Sequence, residues 1–592
     1  MRNCFLALCG LLLAGCAGTG SNPTAPSPES DAVFSRLADD YIGGYLAWRP
    51  QSGTALGLHQ YDGKLTDYSR ASIDGELTRL KSFDQQLSDL DASRLSAQSA
   101  YDYRILRGAI QHDILGFEQL HGYTQNPMTY ADAIDVNIYV KRDFAPLPDR
   151  VRSIISILNQ TSNVMAAARA NLEDSLPRPL IETAMDEAGG SADFLGTDLV
   201  NALKDVPDTN LMAEFNAANS RAIAEFRGYV TFLKEQKLPK ANENYALGRD
   251  HYMLLLQYGE MITNTPEDLL NLGLRELAAK QKVFTDTARL IDPSQTPAEV
   301  FKAIQKDHPT AQSLIPEAQK HLEAIRQFVI DHDIVTVPSP VRVRVTETPQ
   351  YLRATSFASM DTPGPFETKA TEAWYYITPV ESNWPPEQKE QWLTAFNYYT
   401  TDIVSIHEAY PGHYIAFLHL NASAATPVEK IFSGYAFTEG WAHYCEQMLV
   451  DEGFGSDLSA TPGSPAALKA AKYRLAQTDE ALLRICRLCV SIKMHCQGMT
   501  VPEAARFFQD NCYYEAGPAH SEAMRATFDP EYLYYTLGKL EILKLRDDYR
   551  QQEGTAFSLK KFHDELLSHG APPVRLMRQL MLKDPAAWDN VL

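Results

Sequence analysis

From about Asp31 to about residue 335 the apolar residues recur at i, i+3, i+4 and i+7. The clearest stretches are VRSIISILNQTSNVMAAARANL, DLLNLGLRELAAKQKVFTDTARL and residues 317–332. That period predicts amphipathic helices, each burying one stripe. No unit returns at a fixed spacing, which disfavours a solenoid. The pattern changes once. Val341 to Val345 alternates strictly between Val and Arg and is bounded by Pro338, Pro340 and Pro349, which predicts a strand. Residues 354–360 and 372–380 extend it into a small sheet after turns such as DTPGP. Pro385-Pro386 then open a helix expected to run to about Tyr410, with Trp392, Phe396, Tyr399, Ile403 and Ile406 spaced four, three, four and three. The fold class expected is mainly α, with one small β-sheet beside the helix that carries the chemistry.

The first residues follow different rules. Arg2 precedes an apolar run from Phe5 to Leu13, too short to span a hydrocarbon core of about 30 Å. Leu13-Ala14-Gly15-Cys16 resembles a bacterial lipobox, so residues 1–15 read as a signal peptide and Cys16 as a lipidated N-terminus; an ordinary signal peptide with a chance Cys is the plainer alternative. Residues 16–30 hold almost no large apolar side chain and read as a flexible tether, reaching at most about 45 Å from a membrane. Ala17 after that Cys resembles the pattern sent to the outer membrane of Gram-negative bacteria, with the body facing the periplasm. The net charge of −21, without a Lys/Arg run, excludes nucleic acid as a natural partner and leaves lipid as the membrane link. No protein partner is evident. Beyond Cys4, Cys9 and Cys16 five cysteines remain, an odd count that predicts at least one free thiol. Cys486-x-x-Cys489 has the form of half a zinc knuckle or a redox pair, but its apolar helical surroundings favour buried thiols.

The informative chemistry begins at His407-Glu408-Ala409-Tyr410-Pro411-Gly412-His413. In zinc peptidases of the H-E-x-x-H type, two imidazoles four apart face one metal and the Glu serves as general base. Here the histidines are six apart. In an unbroken helix the second would point about 120° away from the first, so both reach one ion only if Pro411 and Gly412 break the turn. A helix end stopped by Pro-Gly, with histidines near the last carbonyls, is the plain alternative. Glu439 follows 26 residues after His413, in TEGWAHYCE, where Glu439, His443 and Glu446 share one helical face. A Glu from a second helix supplies the third ligand of a glutamate-type zinc site and leaves the fourth position open. The predicted ligands are therefore His407, His413 and Glu439 for zinc, with His443 and Glu446 behind them. A surface stripe of Glu and His is the alternative, disfavoured by the apolar and aromatic neighbours Phe437, Trp441 and Tyr444.

HEAYPGH and EGWAHYCE, with GLHQYDGKLTDYS and KRDFAPLPDRVRSIISIL upstream and PEYLYYTLGKLEILKLR downstream, together resemble the bacterial domain-of-unknown-function family 885 over residues 35–590. The resemblance implies a large helical, two-lobed fold similar to glutamate-zincin metallopeptidases, with a central cleft between lobes at 31–335 and 336–592. The six-residue His spacing is part of that pattern, whereas His443 stands where an apolar residue is expected. The oxyanion donor required for amide hydrolysis would come from His495, Arg525, Tyr534, Tyr535 or Lys539; Tyr535 is favoured because it matches the Tyr of YTLGKLEIL. Arg525 suits a substrate carboxylate, although pairing with Glu522 is its ordinary expectation. EAWYYITPV, at residues 372–380, is placed to hold an extended peptide or simply to cover the sheet.

The function expected is a zinc-dependent peptidase, as a carboxypeptidase or an oligopeptidase, with Glu408 as general base and a peptide substrate. The alternatives are a non-catalytic binding lipoprotein on the same scaffold, and a zinc hydrolase of non-peptide amides or esters.

Overall fold

The computed structural model describes residues 26–349, 353, 357–456, 461 and 463–592. The signal peptide, Cys16 and most of the tether lie outside the described residues. The first helix, Pro28–Trp48, starts inside the segment read as tether. The chain is mainly helical, as its periodicity predicts, with one three-stranded sheet. No described helix is long and apolar enough to cross a membrane. Buried side chains gather into three clusters. One is built from residues 34–110 with Val428 and Leu576, one from residues 128–233 with Ala370, and the largest spans residues 252–582.

The largest cluster holds six helices that frame the site: α1 (Pro266–Ile291), α2 (Tyr398–Glu408), α3 (His413–Ala422), α4 (Tyr435–Asp451), α5 (Pro465–Gln497) and α6 (Tyr534–Glu553). α5 shows how local sequence sets a boundary. Ser464 accepts from the Ala467 N–H, Pro465 occupies the first turn, and Gly498 ends the helix in the left-handed conformation at φ 74°. Its length is apolar on most faces, and Cys486 and Cys489 are fully buried inside it. Burial raises both thiols, Cys489 to about 12, so they are packed groups without thiolate character. All five described cysteines are free.

α4 is buried on nearly every side. It crosses α6 where two glycines meet: a Cβ on Gly440 would lie 2.5 Å from the Gly538 carbonyl carbon, and one on Gly538 would overlap the Ala436 carbonyl oxygen. The N-terminus of α4 is capped from far away, since the Glu260 carboxyl accepts from the Ala436 N–H at 2.8 Å.

The sheet has the order β1-β3-β2, with β1 (Arg344–Glu347) parallel and β2 (Ala358–Asp361) antiparallel to β3 (Trp374–Ile377). β1 begins three residues later than the Val/Arg alternation predicts. The Tyr410 hydroxyl takes the Val343 N–H at 3.3 Å and the Tyr414 hydroxyl donates to the Val341 carbonyl at 2.9 Å, so one tyrosine of the turn between α2 and α3 and one of α3 replace a strand partner there. The helix expected from 385 to about 410 is two helices, Pro386–Ala395 and α2. Asn397 divides them, its side chain accepting from the Thr400 N–H at 3.0 Å as a new N-cap. β3 sits at the centre with a partner on each edge, so the peptide-holding role expected of residues 372–380 is closed to it. The outer strands are β1 and β2.

Candidate metal centre

α2 ends at Glu408 and α3 begins at His413, so the chain turns sharply between the two histidines. Gly412 is the residue that permits the turn. Its N–H bonds the Ile406 carbonyl at 3.0 Å, and a Cβ there would overlap the His407 carbonyl oxygen. The Trp441 indole of α4 donates to the carbonyls of Pro411 and Gly412 at 3.0 and 3.2 Å, which fastens the interruption to the neighbouring helix. The result is convergence. The His407 and His413 rings lie 4.8 Å apart at 88°, and Nε2 of each stands 3.3 and 3.5 Å from Glu439 Oε2.

One donor atom from each of His407, His413 and Glu439 falls within 4.8 Å of the others, the only such group among the described residues. Glu439 Oε2 is buried and accepts no well-formed hydrogen bond, although two imidazole nitrogens face it. Burial alone would raise the Glu439 carboxyl, but the two histidines hold it well below the usual range, so it is a carboxylate. Two nitrogens and one oxyanion converging without mutual hydrogen bonds fit a divalent cation with an open fourth position.

Behind these groups lies a second layer, fully buried. Glu446 accepts from His407 Nδ1 at 2.7 Å and from His443 Nδ1 at 3.0 Å, and Arg484 Nη2 stands 3.2 Å from it. With Glu446 ionised, held well below its usual range against burial by the Arg484 charge and by the hydrogen bonds from His407 and His443, His407 Nδ1 carries a proton and its Nε2 is left for the site. Lys539 Nζ approaches His443 Nε2 at 3.4 Å. Burial, then the charge of Lys539, keeps His443 neutral, and burial with Lys280 nearby brings Lys539 down to about 7. His443 thus belongs to this buried layer and is absent from the converging triad.

Glu408 is half-buried in the last turn of α2 and has no side-chain hydrogen bond or ion pair among the described residues. The Tyr535 ring lies 6.3 Å from the His407 ring, nearly parallel, with Arg487 and Arg484 at 5.2 and 5.8 Å from its centroid. Its hydroxyl has no hydrogen-bond partner among the described residues. Burial and the Glu439 charge push its pKa up, so it stays a neutral donor.

Three expectations change. His495 is a core residue, its Nε2 bonded to the Ala526 carbonyl at 2.7 Å and its Nδ1 accepting from the Leu247 N–H, with burial lowering it to about 4. Arg525 pairs with Asp529 at 2.8 Å and touches the Tyr435 hydroxyl, because Glu522 is taken by Arg487 at 2.7 Å. Tyr534, the first residue of α6, is fully buried. Sequence reasoning missed Arg484 and Arg487, and read Trp441 as a packed neighbour without its hydrogen bonds to the Pro411–Gly412 turn. For the arginines there was a signal: two charges three residues apart inside the otherwise apolar ALLRICRLC.

The sequence profile described as "Bacterial protein of unknown function (DUF885)" matches residues 50–581. Two solved structures share the fold. A candidate lipoprotein of unknown function from Shewanella oneidensis aligns with TM-score 0.76 and 24% identity over 93% of this chain and 100% of its own. A candidate lipoprotein from Colwellia psychrerythraea aligns with TM-score 0.77 and 18% identity over 95% of this chain and 99% of its own. None of the curated proteins compared with the chain matches it.

Proposed function

The chain belongs to the DUF885 family, bacterial proteins of unknown function, and from its own side chains we propose a zinc-dependent peptidase carried on a lipid anchor. The observation that carries the reading is the convergence of His407, His413 and Glu439 on one point, with a buried carboxylate oxygen there lacking a hydrogen bond. Zinc held by these three residues would supply a Lewis acid and a water acidified to a pKa of about 7. Glu408, next to the first ligand and without a competing partner, takes the proton of the attacking water and returns it to the leaving amine. Tyr535 donates its free hydroxyl to the oxyanion that develops on the scissile carbonyl. Glu446 and Arg484 fix the His407 ring so that this geometry exists before substrate arrives. The clustering of helices around the triad agrees with a two-lobed, zincin-like cleft. The lipobox at Cys16, and the description of both structural relatives as candidate lipoproteins, support attachment to a membrane through lipid, facing the periplasm at the outer membrane.

The test is a mixed peptide pool incubated with wild-type and Glu408→Gln protein, each with and without a chelator, and read by mass spectrometry. Wild type should cleave peptides, chelator should stop it, and Glu408→Gln should keep zinc while turnover falls about 10²–10⁴-fold. Undiminished cleavage by Glu408→Gln would remove the assignment.

A further inference from the structure

His413 faces more than the triad. It also lines a cavity of about 260 Å³ whose walls are mainly apolar, including Phe417, Leu420, Ile431, Phe437, Pro363 and Pro365. Thr438, one residue before Glu439, completes the wall nearest α4. Pockets for drug-sized ligands run from about 300 to 1,000 Å³, so this one suits a single side chain. Residues 362–365 follow directly on the outer strand β2 and are fastened to the N-terminal part of the chain. The Phe366 N–H donates to the Leu56 carbonyl at 3.0 Å, and His59 Nε2 lies 2.8 Å from Glu367.

One cation stands on this wall without an anion. Lys430 lines the cavity, and its ammonium has no carboxylate within ion-pair distance among the described residues; its aromatic neighbour is Phe366, at 5.9 Å from nitrogen to ring centroid. In a chain of net charge −21, an unpaired ammonium beside an apolar cavity and a candidate metal ligand is complementary to a ligand that joins one apolar side chain to one carboxylate. Arg525, which the sequence offered for a substrate carboxylate, is already neutralised by Asp529.

We propose that this cavity binds the C-terminal residue of a peptide, with its apolar side chain among Phe417, Ile431 and Phe437 and its free carboxylate on Lys430. The proposal rests on the peptidase reading and narrows it to removal of apolar C-terminal residues. Water adds to the last peptide carbonyl, the C–N bond breaks, and the released amine takes the proton, giving a free amino acid and a peptide one residue shorter.

The experiment has two arms. In the first, zinc-loaded wild type is given peptides ending in Leu, Phe, Asp or Lys, each as free acid and as C-terminal amide. The free acids ending in Leu and Phe should be shortened by one residue about ten- to a hundredfold more efficiently than their amides, the usual worth of a charge-assisted contact. Lys430→Met should erase that discrimination chiefly through KM, with kcat little changed. In the second arm, calorimetry compares N-acetyl-leucine with its amide on wild type and Lys430→Met. The acid should bind to wild type at least tenfold better, and the difference should vanish in the variant. Cleavage of acids and amides alike, internal cleavage, or discrimination that survives Lys430→Met overturns the proposal and leaves the peptidase intact. If no peptide is cleaved but the acid still binds through Lys430, the peptidase reading falls and the ligand site stands. If neither occurs, both fall.

Discussion

Glu439 and Glu446 lie two turns apart on one helix, both turned toward His407, yet they live in different surroundings. Glu446 is sealed from solvent, and its two oxygens are shared among His407, His443 and Arg484. Glu439 is partly open, and the oxygen it turns toward two imidazoles accepts no well-formed hydrogen bond. A carboxylate that has completed its contacts belongs to the scaffold; one surrounded by donor atoms that do not satisfy it is shaped for a cation. The helix thus carries a satisfied carboxylate and an unsatisfied one seven positions apart.

The largest effects should separate these two. Glu439→Gln should abolish stoichiometric zinc, measured by elemental analysis, and take turnover to background, while the melting temperature of the metal-free protein stays close to wild type. A variant that kept its zinc would break the comparison. Glu446→Ala should do the reverse in emphasis. Leaving Arg484 with Glu480 as its one remaining carboxylate, and His407 and His443 without their acceptor, should cost about 1–3 kcal/mol in denaturant unfolding, and a loosened His407 should weaken zinc binding about 10–100-fold without eliminating it.

Acidity sharpens the contrast further. In the metal-free protein burial would lower His407, but Glu439 and Glu446 raise it to about 10. The stability gained from this raised value is complete below the free imidazole value of about 6.5 and is lost as pH rises through about 10. Zinc must displace that proton, so affinity should climb roughly tenfold per unit between those values, and calorimetry in buffers of differing ionisation enthalpy should count about one proton released from His407. The smallest change is Trp441→Phe. It removes both indole contacts to the Pro411–Gly412 turn, costs about 1–2 kcal/mol, and should weaken zinc several-fold by letting His413 drift.

Much of this site was legible in sequence because its parts are carried by short local patterns. His407, Glu408 and His413 sit around an obvious helix breaker, and Glu439 lies on a helix whose neighbours announce burial. What periodicity could not reveal are contacts contributed from distant segments. Nothing in the spacing says that Trp441 reaches back to hold Pro411, or that Arg484 completes Glu446. The late start of β1 and the division at Asn397 escaped for the same reason: tyrosine hydroxyls and a side-chain cap compete there with the regular pattern. The helical class survives such details because it rests on dozens of apolar positions, whereas a register rests on one or two bonds.

The contact between Gly440 and Gly538 joins two functions mechanically. Glu439 immediately precedes one glycine and Tyr535 stands three residues before the other, so bare backbone against bare backbone fixes how far the ligand stands from the phenol. No side-chain exchange can tune that spacing. Any change in what the neighbouring cavity accepts has to come from its lining, with the spacing between Glu439 and Tyr535 left unaltered.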